Sequence, residues 1–249
     1  MLNCHNEYIR ITDDKKTAVL MVHGIVGTPR FFDCMIPLIP SEYSIYNILL
    51  DGHGRKVEDF CKTSMEKWKK QVRDKLNEIR DRHDEIIIVA HSMGTLLTIN
   101  SVVENSDKIK KMVLFAVPLK PRLKFITVKT SLKVIFKAVD ENNDYEVNSR
   151  EQYSIEPDWR LWRYVGFAPR YIELLNLAAN MRKRVKAINV PCDVFICGND
   201  EMVSLKSIKY FEDNSNFKVH VLKNSSHNKF DKKDFKHVSK IIKKCISHQ

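Results

Sequence analysis

The sequence predicts an α/β fold: a parallel sheet with helices on both faces and a helical segment inserted late in the chain. Three observations predict it. Short apolar, β-branched runs alternate with segments of helical period, the pattern of strands joined by crossover helices. Six of only seven glycines fall in four short stretches that follow predicted strands, where a tight turn or close backbone approach is needed. The alternation then breaks between Leu119 and Ala187 and resumes after it.

Ala18–Val22 reads as a buried strand that ends in His23-Gly24-Ile25-Val26-Gly27-Thr28-Pro29, and Tyr43–Leu50 as a second strand before Asp51-Gly52-His53-Gly54. From Met65 to Arg82, the spacing of Trp68, Val72, Leu76 and Ile79 predicts an amphipathic helix. Glu85–Ala90 is a continuous apolar run, as expected of a strand covered on both faces. A helix over Gly94–Val103 and a strand over Lys111–Val117 follow. Late in the chain come a strand at Pro191–Cys197, a helix at Leu205–Phe211, a strand at Phe217–Leu222 and a basic amphipathic helix from Lys233 to Ile246. The stretch 119–187 is helix-prone and holds Trp159 and Trp162. It reads as a cap inserted into a core made of 1–118 and 188–249; two crossover helices with a long loop are the alternative.

A chain of 249 residues with 43% hydrophobic and 29% charged content suits one soluble globular domain with a modest insertion. The net charge of +11 invites a nucleic-acid or membrane-surface partner. Its lysines, however, are spread along predicted helices, as at Lys229–Lys233 and Lys243-Lys244, with no arginine-aromatic interleaving, so no nucleic-acid partner is expected. No apolar run approaches the roughly 18–20 residues that span a bilayer, which argues against stable membrane insertion. The N-terminal Met1–Glu7 lacks the basic and apolar regions of a signal peptide. The six cysteines (Cys4, Cys34, Cys61, Cys192, Cys197, Cys245) form no C-x-x-C pair, and Cys192 and Cys197 flank a strand that holds them apart. Reduced thiols in a cytoplasmic protein are expected. No cluster of ligands suggests a metal, no cofactor is implied, and the oligomeric state is not fixed by the sequence.

The strand Glu85–Ala90 runs directly into His91-Ser92-Met93-Gly94 and a helix, the setting of a nucleophile elbow that lifts a serine hydroxyl above the sheet edge. The turn demands small residues two before and two after the serine, and Ala90 and Gly94 stand there. An acyl-transfer serine needs backbone donors for the developing oxyanion; the N–H groups of Met93 and Ile25 are the candidates. It also needs a base and an orienting carboxylate, in the chain order serine, acid, histidine. Of the four histidines after Ser92, His220 lies in a strand, His237 on a helix and His248 at the chain end. His227 stands in the loop Asn224–Asn228 after the last strand and is the candidate base. Asp200 in Gly198-Asn199-Asp200-Glu201 is the candidate acid, with Glu201 its competitor and Asp193 at the wrong end of its strand. His23, His53 and His91 read as loop-stabilising residues.

On four loops, His23–Pro29, Leu50–Gly54, Ala90–Gly94 and Gly198–Val203, and on Ser226-His227, the chain resembles the α/β-hydrolase superfamily, and within it the bacterial carboxylesterase and monoacylglycerol-lipase group. The resemblance implies an eight-stranded, mostly parallel sheet with a cap after the sixth strand. It implies Ser92 as nucleophile, Asp200 as acid, His227 as base, and Ile25 and Met93 as oxyanion donors. It implies a serine carboxylic-ester hydrolase that works through an acyl-enzyme on a small-molecule acyl ester. A thioesterase, lysophospholipase, acyltransferase or C–C hydrolase would use the same triad, and a silent binding protein on the same scaffold is the alternative from another class. Two positions depart from the group: Ala90 replaces the usual first glycine of the elbow, and Asp51 replaces a proline in the Gly52-His53-Gly54 loop. The single His23-Gly24 turn resembles enzymes that take medium or longer acyl chains. Gly24, His91, Phe125, Ile126, Phe136 and Val203 are the positions expected to border substrate. In the cap, Leu123, Phe125, Ile126, Leu132, Val134, Ile135 and Phe136 either line an acyl pocket or form the cap's own core. The cap's basic excess points to anionic esters such as lysophospholipids as one option.

Overall fold

The computed structural model describes residues 5–246; Cys4, His248 and the first four residues of the N-terminal stretch lie outside them. Seven strands form one sheet in the order β1-β3-β2-β4-β5-β6-β7. They are β1 (Tyr8–Arg10), β2 (Thr17–Val22), β3 (Ser44–Ile48), β4 (Glu85–His91), β5 (Ile109–Phe115), β6 (Cys192–Cys197) and β7 (Phe217–Leu222). All neighbours are parallel except β1, which runs antiparallel to β3.

Among the described residues the sheet therefore has seven strands, not the expected eight, and the large insertion follows the fifth of them. Only β1 precedes β2, and it is a half-exposed edge of three residues with no apolar run to announce it. It is fixed by Arg10, whose guanidinium donates to the carbonyls of Tyr43 and Pro40 at 3.0 and 2.5 Å.

The continuous apolar runs are explained by burial on both faces. Ala18, Leu20 and Val22 of β2 and Ile86, Ile88 and Ala90 of β4 face one core; Val19, Met21, Ile87 and Val89 face the other. The first core is closed by α2 (Met65–Arg82), α3 (Met93–Glu104) and α6 (Phe167–Arg184). α2 begins at Ser64, whose hydroxyl accepts from the N–H of Lys67, and buries Trp68, Val72, Leu76 and Ile79. The second core is closed by Phe31, Phe32 and Met35 and by Val238, Ile242 and Ile246 of α7 (Lys232–Ile246). The short helix α1 (Val57–Lys62) has no sequence counterpart above, and the predicted helix at 205–211 is a 3-10 helix over Leu205–Tyr210.

The segment between β5 and β6 holds α4 (Phe125–Ile135), α5 (Asp144–Gln152), a 3-10 turn at Leu161–Gly166 and α6. It divides in two. Leu174, Leu177, Ala178 and Met181 of α6 join the first core, while α4 exposes much of its apolar surface.

Parallel pairing gathers the carboxyl ends of β2, β4, β6 and β7 at one edge, where their loops converge. Val22 pairs with Ala90, so Gly24 arrives beside Ser92. α3 then starts so close to β2 that a Cβ on Gly94 would lie 2.2 Å from the Val22 carbonyl oxygen and 2.6 Å from that of His23. Gly94→Ala is expected to cost at least about 1–3 kcal/mol of stability by overpacking. Urea unfolding checks this, and an unchanged midpoint would refute the close approach.

Candidate active site

Ser92 sits between β4 and α3 with φ 51° and ψ −124°, a left-handed conformation strained for a residue with a side chain. Neighbouring hydrogen bonds hold it there. The Ser92 N–H donates to the Phe115 carbonyl at 2.9 Å, and the Thr95 N–H and hydroxyl donate to the Ser92 carbonyl at 3.0 and 2.6 Å. The space beside the side chain exists because position 24 is glycine: a Cβ there would meet the Ser92 Cβ at 2.9 Å.

The Ser92 Oγ lies 3.1 Å from His227 Nε2. On the other side of the ring, His227 Nδ1–H donates to Asp200, 2.9 Å from Oδ2 and 3.0 Å from Oδ1. Asp200 is fully buried, and its Oδ1 also accepts the N–H groups of Met202 and Val203, both at 2.7 Å. Burial alone would raise the Asp200 pKa; the His227 charge and these donors outweigh it and hold the carboxyl below its ordinary range. Burial would likewise lower His227, but the charge and hydrogen bond of Asp200, helped by Glu201, hold it above its usual 6.5.

Glu201, the competing acid, does not reach the imidazole edge. Its Oε2 accepts the His227 backbone N–H at 3.2 Å. His91 Nε2–H donates to the His227 carbonyl at 3.0 Å, so both ends of the His227 peptide are held. Burial keeps His91 well below its normal pKa, and it stacks on Phe31 with centroids 3.8 Å apart.

The loop after β2 is shaped by His23. The Leu50 N–H donates to His23 Nε2 at 3.0 Å, which leaves Nδ1–H to donate to the Gly24 carbonyl at 2.8 Å. That carbonyl also accepts the Gly27 N–H at 3.1 Å, closing a turn through Ile25 and Val26, the latter at φ 48°. No hydrogen bond engages the Ile25 or Met93 N–H among the described residues. His53 braces the next turn, with Nδ1 facing the carbonyls of Leu50 and Asp51, and burial takes its pKa down to about 4.

A cavity of about 360 Å³ opens over Ser92. Gly24, Ile25, His91, Ser92 and His227 form its floor, and Leu123, Thr130, Val134 and Ile135 are part of its wall. Four expected substrate neighbours lie elsewhere. Phe125, Ile126 and Phe136 are 81%, 43% and 50% exposed and do not line the cavity, because the helical turn of α4 carries them to its outer face. Val203 is buried behind the cavity, where its N–H serves Asp200. Sequence reasoning missed Tyr145, Tyr153, Tyr164 and Tyr171, which also line the wall. The available signal was their density: half of the eight tyrosines lie between residues 145 and 171.

A family model described as "Serine aminopeptidase, S33" (Hydrolase_4) matches residues 13–232. The chain belongs to this family. Members of this hydrolase family share the α/β-hydrolase fold, and solved structures with that fold superpose on nearly the whole chain. A metagenome-derived lipolytic enzyme has 14% identity and a TM-score of 0.71, covering 97% of this chain and 98% of its own. A monoacylglycerol lipase from Paleococcus ferrophilus has 17% identity and a TM-score of 0.68, covering 98% of each chain. A meta-cleavage product hydrolase from Pseudomonas fluorescens has 15% identity and a TM-score of 0.69, covering 96% and 93%. In sequence, a thermostable monoacylglycerol lipase of Bacillus sp. is 33% identical over 85 residues, 32% of this chain. That match spans about a third (33%) of the relative's length.

The hydrogen-bond chain gives a prediction with a definite sign. A histidine base works only when neutral. With His227 held above 6.5, kcat/KM on a reactive substrate should rise with pH through a midpoint above 6.5. Asp200→Asn should cut kcat by about 10⁴-fold, because the imidazole tautomer is no longer fixed. A pH-rate profile with its midpoint below 6.5, or an Asp200→Asn enzyme of near-normal rate, would contradict this assignment.

Proposed function

We propose that the protein is a serine carboxylic-ester hydrolase of carboxylesterase or monoacylglycerol-lipase type. The observation that carries this reading is the hydrogen-bonded series Ser92–His227–Asp200, of which Ser92 and His227 lie on the floor of a largely apolar cavity. In this reading His227 Nε2 takes the Ser92 hydroxyl proton as Oγ attacks the ester carbonyl. The N–H groups of Ile25 and Met93 receive the oxyanion, and the N-terminus of α3 adds its positive dipole. His227 then gives the proton to the departing alcohol, leaving an acyl group on Ser92. Water, deprotonated by the same imidazole, releases the acid. Asp200 stays ionised and holds the ring. The segment 119–187 acts as a cap, with the inner face of α4 forming the acyl wall.

The test is hydrolysis of p-nitrophenyl esters from acetate to palmitate by the wild type and Ser92→Ala. Loss of the nucleophile should lower kcat by at least about 10⁴-fold. A folded Ser92→Ala protein that keeps its rate would exclude the acyl-enzyme, and a wild type inactive on all esters would exclude the substrate class.

The two faces of α4 give a second measurement. Val134 is buried on the cavity wall, so Val134→Trp should move the chain-length optimum to shorter esters. Phe136→Ala, on the outer face, should leave the optimum in place. An identical optimum in Val134→Trp would show that the acyl chain runs elsewhere.

A further inference from the structure

The chain carries a net charge of +11, yet among the described residues no lysine or arginine lines the cavity over Ser92. Among the described residues, the one carboxylate in its wall is Glu201, and the titratable groups of opposite kind there are the imidazoles of His91 and His227. Glu201 is 8% exposed and is fixed in place by the His227 N–H at 3.2 Å. Arg122 is tied to the same loop, but its guanidinium donates to the Asp200 carbonyl and the residue is exposed, outside the cavity lining. Of the aromatic residues in the wall, Tyr145 lies near this carboxylate, and Tyr153, Tyr164 and Tyr171 line the cavity with it; aromatic rings attract cations on their faces and repel anions.

We propose that Glu201 makes the cavity select its esters by charge, admitting neutral and cationic substrates and rejecting anionic ones. The proposal rests on the reading of Ser92 as an ester-cleaving nucleophile and narrows its substrate class. It sets aside the anionic esters that the basic composition of the insertion suggests. A fixed carboxylate in the wall of a partly enclosed cavity acts on a charge inside it more strongly than solvated lysines outside. An anionic ester would also lose hydration without finding a lysine or arginine in the wall.

The experiment uses three p-nitrophenyl esters of one acyl length, ending in methyl, trimethylammonium or sulfonate. They are assayed at about 0.15 M salt, where the Debye length is about 8 Å and exterior lysines are screened. For the wild type, kcat/KM for the trimethylammonium ester should exceed that for the sulfonate ester by at least about tenfold, with the methyl ester also above the sulfonate. Glu201→Gln keeps an oxygen to accept the His227 N–H and removes the charge. It should shrink the trimethylammonium-to-sulfonate ratio about tenfold, each rate being normalised to the methyl ester in the same variant. Equal wild-type rates for the two charged esters would overturn the proposal, as would an unchanged ratio in Glu201→Gln. The wild-type comparison stands even if the variant does not fold. Turnover of the methyl ester that Ser92→Ala abolishes upholds the esterase reading whatever the charge order. Should no ester be turned over, serine-reactive phosphonates with the same three termini give the charge order as labelling rates, read by intact mass. Absence of both turnover and labelling would overturn the esterase reading and the charge selection together.

Discussion

The close approach of α3 to the end of β2 is the constraint on which the site depends. The contact is backbone against backbone, so no side-chain movement can relieve it. It requires glycine at 94, aligns the turn after β4 with the turn after β2, and leaves Ser92 with φ 51° between them. Strain at one residue persists only when its surroundings over-determine it. Here the Phe115 carbonyl, the Thr95 donors and the missing side chain of Gly24 all act on the same few atoms. The unengaged N–H groups of Ile25 and Met93 follow from this packing. Met93 opens a helix, and Ile25 lies in a turn closed by its neighbours.

A second constraint is the burial of two adjacent carboxylates. Asp200 and Glu201 would repel each other if both faced one group. The chain turns them to different parts of one histidine, Asp200 to the ring and Glu201 to the backbone N–H. The loop that carries His227 is moored in turn to α7. Asp234 accepts from the Asn224 N–H and the Ser225 hydroxyl, both at 2.8 Å. Thus the last helix, which packs on the opposite core from α3, still fixes the position of the imidazole. Removing that anchor would act on the geometry of the site without touching it.

How legible each part was in the sequence depended on how local its cause is. The positions of Ser92, Asp200 and His227 were readable because each stands in the turn or loop that follows a strand, and strand ends in a parallel sheet meet at one edge. The extents of α2 and α7 were readable from amphipathic spacing. β1 was not, because three half-exposed residues are held by Arg10 reaching across to a distant loop. Phe125, Ile126 and Phe136 were misplaced for another reason. α4 is apolar on more than one side, so its composition could not say which side turns toward the cavity. That choice is made by the helices and loops around it. The tyrosines of the wall come from α5, α6 and the segment between them; their density marks the stretch, but only the fold of the insertion turns them to one cavity.

The same limit applies to charge. Net charge sums over the surface, whereas a ligand meets only the groups that line its cavity. In this chain the two differ in sign. Lys124, Lys129 and Lys133 punctuate α4, and Lys229 lies next to the histidine loop, yet none of them lines the cavity. Lys133 pairs with the buried Glu146 at 2.5 Å, and Lys229 with Asp144 at 2.8 Å. Lys133 thus joins α4 to α5, and Lys229 joins the histidine loop to α5, both away from the space above Ser92. A basic composition therefore describes the exterior of this fold, and the chemistry of its substrate has to be read from the wall of one cavity.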